Sequence, residues 1–221
     1  MNYARHIACC LALLALVAAG CSNPFAPKPR TPPDGEPQLP APAATTPEIL
    51  IDNLSRAFND RDKDLYETLL DEDFWFTEKN CLGEDIYFNG REEELSFMGG
   101  SRDGSKQGFF ERFRTFEYEF TPILRTVELG RDYPEAVPDD PDGHPAEDWV
   151  VFRGRTHMLM VDENSDGFRV DQVMNYKLRQ GSDGLWRIIR WIDDPLAGGT
   201  ECGSSGKLVA GQVSWAEAKG R

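Results

Sequence analysis

His157, Arg155, Gln172, Tyr176 and Tyr66 are the side chains of this chain whose types could work on a small molecule. Histidine titrates near neutrality and can take or give a proton, while tyrosine and glutamine orient polar groups and arginine holds an anion. Asp71, Asp73 and Asp171 stand near strand or helix ends, where a carboxylate base could sit. General acid–base chemistry needs such groups within hydrogen-bond reach of one another, and no spacing in the sequence shows that they converge. Each also has a plainer role, the acids as caps and strand-end charges, the histidine as a hydrogen-bonded core residue. The run Asp162-Glu163-Asn164-Ser165-Asp166-Gly167 matches the first half of a calcium loop. Val173 stands where that loop needs a bidentate Glu, and the flanks read as strands, so a turn of turn-forming residues fits better. No Cys/His zinc spacing, phosphate-cradling glycine loop or nucleophile elbow occurs, so no metal and no cofactor are expected.

Strand register decides which of these groups meet. Residues 168–195 read as two long strands joined by a tight turn at Gly181–Gly184. With an even turn, Phe168, Val170, Met174, Tyr176 and Leu178 share a face with Leu185, Ile189 and Trp191. This more apolar set is expected to meet the core. Trp186, Ile188 and Ile192 then fall on the other face, as a candidate interface or as residues covered by the C-terminal tail. A further strand, Trp149–Val161, precedes the turn at 162–167. An even turn there points Arg153, Arg155, His157, Leu159 and Val161 inward and gathers a polar pocket of Arg155, His157, Gln172 and Tyr176. An odd turn points Phe152, Thr156, Met158 and Met160 inward instead. The even reading places Leu159 and Val161 with Phe168 and Val170, and is the one expected here.

Upstream, Thr46-Pro47-Glu48 is an N-cap followed by proline and an acid in the first turn. Leu50, Leu54, Ala57 and Phe58 recur at helical spacing, which predicts a helix over 47–59. Asp62 is expected to cap a second helix through Leu65, Leu69 and Leu70, ended by Asp71-Glu72-Asp73. Phe74–Thr77 reads as a short strand, 78–90 as irregular, and Arg91–Met98 as a helix capped by Asn89. Phe109, Phe110 and Phe113 suggest a helical turn. From Thr115 the period becomes two, and Pro122 marks an edge or a bulge. Residues 130–147 form a long polar loop, functional or loosely ordered. Ser214–Glu217 has capping-box spacing for a short terminal helix. Helices first and antiparallel strands after define an α+β class.

The 221 residues carry a net charge of −14 with no basic cluster, which argues against nucleic acid as a partner. Arg5 and His6 precede an apolar run, Ile7–Gly20, too short to span a bilayer but suited to a signal peptide. The run ends Val17-Ala18-Ala19-Gly20-Cys21, which resembles the bacterial lipoprotein signal. That resemblance implies a leader over 1–20 and an acylated Cys21 as the membrane anchor. Ser22, rather than Asp, implies outer-membrane sorting with the domain facing the periplasm. Residues 22–46 are Pro-rich and read as an extended linker. Once the leader is removed, Cys81 and Cys202 remain as a candidate disulfide in an oxidising compartment, or as two free thiols. After the leader and the linker, about 175 residues remain, enough for one domain over 47–195 and a Gly/Ser-rich tail over 196–221.

Residues 50–76 (LIDNLSRAFNDRDKDLYETLLDEDFWF) and 183–194 (DGLWRIIRWIDD) resemble the opening helices and last strand of the NTF2-like superfamily, also termed SnoaL-like or ketosteroid-isomerase-like. The segment VSWAEAK at 213–219 is similar to a terminal element of bacterial lipoproteins of this type. The resemblance implies a cone of N-terminal helices packed on a curved antiparallel sheet, with an interior pocket for a small hydrophobic ligand. Members include isomerases, dehydratases, hydrolases and non-catalytic binders, and their outer sheet face often forms a homodimer. No catalytic motif of the family is evident here, so a binding or interaction module is the expected function. A pocket enzyme or a structural envelope protein are the alternatives.

Overall fold

The computed structural model describes residues 39–79, 84–101, 103–137, 142–194 and 213–219. Cys21, Cys81 and Cys202 lie outside the described residues, and so do the acylation and disulfide expected of them. Every helix and strand discussed below belongs to one unit, Ala41–Arg221.

Helix α1 spans Pro47–Asp60. Thr46 adopts an extended conformation and its hydroxyl accepts from the Ile49 N–H at 3.3 Å, which satisfies one of the helix's orphan donors. Arg61 ends the helix in the left-handed region, φ 55°. Leu50, Ile51, Leu54, Ala57 and Phe58 form its buried stripe. Helix α2, Lys63–Leu69, starts on Asp62, whose carboxylate accepts from the Leu65 N–H at 2.9 Å.

Strand β1 runs from Leu70 to Lys79 and is longer than the aromatic run alone suggests. Asp71 and Asp73 belong to the strand rather than to a helix end, because Arg179 pairs with both. Residues expected to be irregular supply strand β2, Asp85–Gly90, antiparallel to β1. Helix α3, Arg91–Gly99, has Gly90 at its N-cap and no side-chain cap. Asn89, the expected cap, donates instead to Glu94 at 2.9 Å. One helical turn, α4 (Phe109–Arg112), leads into β3 (Phe113–Glu128). Strands β4 (Trp149–Asp162), β5 (Gly167–Gln180) and β6 (Trp186–Asp193) follow, then helix α5 (Trp215–Lys219).

The six strands form one sheet in the order β2-β1-β6-β5-β4-β3. All neighbours are antiparallel except β1 and β6, which run parallel. The sheet is curved and unclosed, with the helices against its core face. β3 is an edge strand, and its register shifts between Pro122 and Leu124, so proline stands both at an edge and at a bulge.

Two local features set the faces. Val161 pairs with Gly167 and Met160 with Phe168, so the β4–β5 turn is odd. Its geometry comes from Asp162, whose carboxylate accepts the N–H groups of Asn164 and Asp166 at 2.9 Å each, and from Ser165 at φ 71°. Phe152, Thr156, Met158 and Met160 therefore face the core. The even register expected from Leu159 and Val161 is incorrect, because local hydrogen bonding in the turn outweighs a preference carried by two side chains. The second feature is a bulge in the β5–β6 pair: Lys177 pairs with Arg190, but Leu178 pairs with Ile188. The extra residue, Ile189, moves Ile188 onto the core face, where it is fully buried, and brings Trp186 against the core. Of the three residues expected on the outer face, only Ile192 keeps its place there.

Phe58 stands at the centre of the core. Its ring stacks on Tyr118 at 4.6 Å and meets Tyr66, Phe110, Phe116, Trp191 and Trp215 at 5.3–6.2 Å between centroids. On the opposite face the described part of the 130–147 loop is held in place. His144 stacks between Tyr133 and Trp149, and Asp142 accepts from Lys177 at 2.7 Å and from Arg190 at 2.8 Å. Burial pushes the Asp142 carboxyl up, but these two cations outweigh it and hold it below its ordinary range.

Candidate functional site

The five residues expected to line a pocket do not assemble. Arg155 and His157 lie on the face away from the core. There the His157 Nδ1 meets Asp171 at 2.7 Å, and Arg169 approaches the other Asp171 oxygen. Burial raises the Asp171 carboxyl, but His157 and Arg169 together hold it below the usual carboxylate range. The His157 side chain is 41% exposed, and this outer cluster reads as a surface ion-pair group rather than a pocket.

Gln172, Tyr176 and Tyr66 do point inward, each to a different partner. The Tyr176 hydroxyl lies 2.9 Å from that of Tyr118, and burial pushes both phenols above their ordinary range. Gln172 donates to the Asp194 carbonyl at 3.2 Å and accepts from the Trp215 N–H at 2.8 Å. Tyr66 donates to Glu94 at 3.0 Å.

The inward groups that matter most were not among the expected ones. Helix α5 enters the core face with Trp215 parallel to Trp191, their centroids 6.0 Å apart. Its start is a capping box: Ser214 Oγ accepts from the Glu217 N–H, and Glu217 accepts from the Ser214 N–H, both at 3.0 Å. Gln172 and Glu78 accept two further N–H groups of this first turn. The helix thus delivers Lys219 into the interior, its side chain 0% exposed and paired with Glu94, also 0% exposed. Asn89 lies 3.4 Å from the same ammonium, and the Phe76 ring centroid lies 3.4 Å away. Glu78 and Asp193 are buried nearby.

Asp193 accepts from the Trp191 indole N–H at 2.6 Å, while its other oxygen is buried with no hydrogen-bond partner among the described residues. Burial, reinforced by Glu78 and Glu94, raises its carboxyl well above the usual range, against the pull of Lys219. The folded state therefore keeps a proton that the unfolded chain releases at about pH 3.9. Stability from this group is fully present below that value and is lost as pH rises through the folded one. Asp193→Asn keeps the acceptor for Trp191 and removes the titration. Urea midpoints of variant and natural chain are expected to coincide at about pH 4, with the variant ahead at about pH 8.

Sequence reasoning passed over Glu94 because it sits in the acidic run Glu92-Glu93-Glu94, which reads as a solvated helix face. Lys219 was passed over because one lysine in a tail carries no period. The one available signal was the capping box, which marks α5 as a built element. Two outer clefts also occur. One, of about 590 Å³, is bordered by α2, α3 and the residues before α4; the other, of about 560 Å³, lies beside β1 and the start of α3.

No protein-family model matches the chain, and no curated protein does. Solved structures do resemble it. A conserved protein from Planctomyces limnophilus shares 13% identity, covering 66% of this chain and 91% of its own, with a TM-score of 0.48. An NTF2-like superfamily protein from Salmonella enterica shares 13% identity over 68% of this chain and 89% of its own, at 0.44. A ketosteroid isomerase-like protein from Erwinia carotovora shares 15% identity over 68% and 93%, at 0.42. The likeness is one of fold alone: this chain is α+β, with helices against a curved six-stranded sheet.

Proposed function

We propose that this chain is a lipid-anchored, non-catalytic binding module of a bacterial cell envelope, carried on an NTF2-like fold. The observation that supports the non-catalytic reading is the arrangement of polar groups inside. Tyr66, Glu94, Asn89 and Lys219 bond one another, and Gln172 and Glu78 bond the start of α5. The enzyme alternative would use an inward carboxylate or His157, and His157 faces away from this interior, as does Arg155. Groups bonded to one another in this way hold a shape; they are not a free base and a free acid on opposite sides of a substrate.

The anchor rests on the Val17–Cys21 motif and the Pro-rich linker. Acylation of Cys21 supplies more than one chain, enough for stable attachment, and Ser22 directs the module to the outer membrane facing the periplasm. In cells fed an alkyne fatty acid, the natural chain is expected to be labelled and to sediment with membranes. Cys21→Ala is expected to be unlabelled. An unlabelled natural chain in the soluble fraction would overturn the anchoring.

A further inference from the structure

The surroundings of Lys219 are those of a cation receptor. The ammonium lies 3.4 Å from the centroid of Phe76, 5.3 Å from that of Trp215 and 5.6 Å from that of Trp191. The faces of aromatic rings carry negative potential and attract a desolvated cation. Glu94 supplies the counter-charge, and Asn89 offers a carbonyl oxygen at 3.4 Å. A primary ammonium has three donors; here one meets a carboxylate, one an amide oxygen, and the third can lie over a ring. A second observation points the same way. Among the described residues, the Asp193 Oδ2 and, on α5 itself, the Trp215 indole N–H are both buried without a hydrogen-bond partner. The site therefore holds more polar capacity than Lys219 uses. Lys219 itself is presented by a short helix, joined to β6 through a segment that the sequence makes rich in glycine and serine. A tethered occupant needs little intrinsic affinity to fill a site, because its effective concentration is high.

We propose that the interior enclosed by Phe76, Trp191, Glu94 and Asn89 is a recognition site for primary ammonium compounds, with Lys219 as its resident occupant in cis. An alkylamine enters in trans when α5 withdraws, its ammonium taking the place of the Lys219 ammonium. The proposal rests on the binding-module reading and adds the ligand class. A quaternary ammonium has no N–H to give Glu94 and Asn89, and a planar guanidinium pairs best with both carboxylate oxygens, one of which Tyr66 already holds in Glu94, so the site selects for primary amines.

The test is chemical rescue in the full chain. Lys219→Ala removes the occupant and leaves the cage. Its thermal midpoint is expected to fall below that of the natural chain, and n-propylammonium chloride is expected to raise it saturably. Sodium chloride and tetramethylammonium chloride at equal ionic strength are expected to give no comparable rise. Glu94→Gln combined with Lys219→Ala is expected to abolish the response. If Lys219→Ala does not fold, hydrogen exchange over residues 213–219 of the natural chain is the readout. It is expected to quicken as n-propylammonium, but not sodium, displaces α5. A Lys219→Ala midpoint that responds alike to all three salts, or exchange that n-propylammonium leaves unchanged, overturns the proposal. Neither result bears on the anchor, which membrane sedimentation of Cys21→Ala tests separately.

Discussion

Lys219→Met is expected to destabilise the domain by about 3–5 kcal/mol, the usual cost of removing one partner of a buried ion pair. Methionine keeps most of the volume and the apolar stem, so the loss reports charge rather than packing. Glu94 would remain in a dry site, with Tyr66 and Asn89 as its hydrogen-bond donors and no cation. Glu78 and Asp193 stand close by and add repulsion or bury further protons. Burial draws the Lys219 ammonium below the ordinary lysine range against the pull of Glu94, so the pair survives on geometry and not on solvent. Adding Glu94→Gln is expected to recover part of the loss, because a neutral amide there is cheaper to bury than an unpaired carboxylate. Urea unfolding of the three chains checks both statements. A loss under about 1 kcal/mol for Lys219→Met would place the pair with exposed ones and contradict its burial.

Phe58→Ala is expected to cost about 3–5 kcal/mol, at the upper end for a core truncation. The spread in such values reflects how far a site can collapse, and Phe58 has little scope for collapse. Its six aromatic neighbours come from α2, α4, β3, β6 and α5, so no single element can move in without leaving the others. Phe58→Leu keeps more of the volume and is expected to cost less, which separates cavity formation from loss of ring contacts. The two midpoints in urea, at unchanged slope, give the comparison.

Much of the fold was legible because its signals are local. Thr46, Pro47 and Asp62 cap helices within three residues of themselves, and Ser214 with Glu217 forms its box alone. The β3–β6 strands follow from their alternation. What escaped depends on contacts far apart in the chain or on counting single residues. Strand β2 is only six residues long and has β1 as its one neighbour in the sheet. The β4–β5 turn became odd through Ser165, a non-glycine residue in the left-handed region, which composition does not announce. That one residue sent His157 outward and Thr156 inward. The bulge at Ile189 did the same to Ile188. The interior site was the least legible part, because Asn89, Glu94 and Lys219 come from a strand end, an acidic helix and a tail. Each has an ordinary solvated reading until the fold sets them side by side.

Helix α5 also has a consequence for how the domain comes into being. Residues 213–219 emerge after all six strands, yet they supply Trp215 to the aromatic centre and the lysine that pairs with Glu94. Until they arrive, a nascent chain exposes Trp191 and Phe76 and holds three acids that no cation offsets. Synthesis from the N-terminus thus delays closure of the core until this helix has followed the last strand.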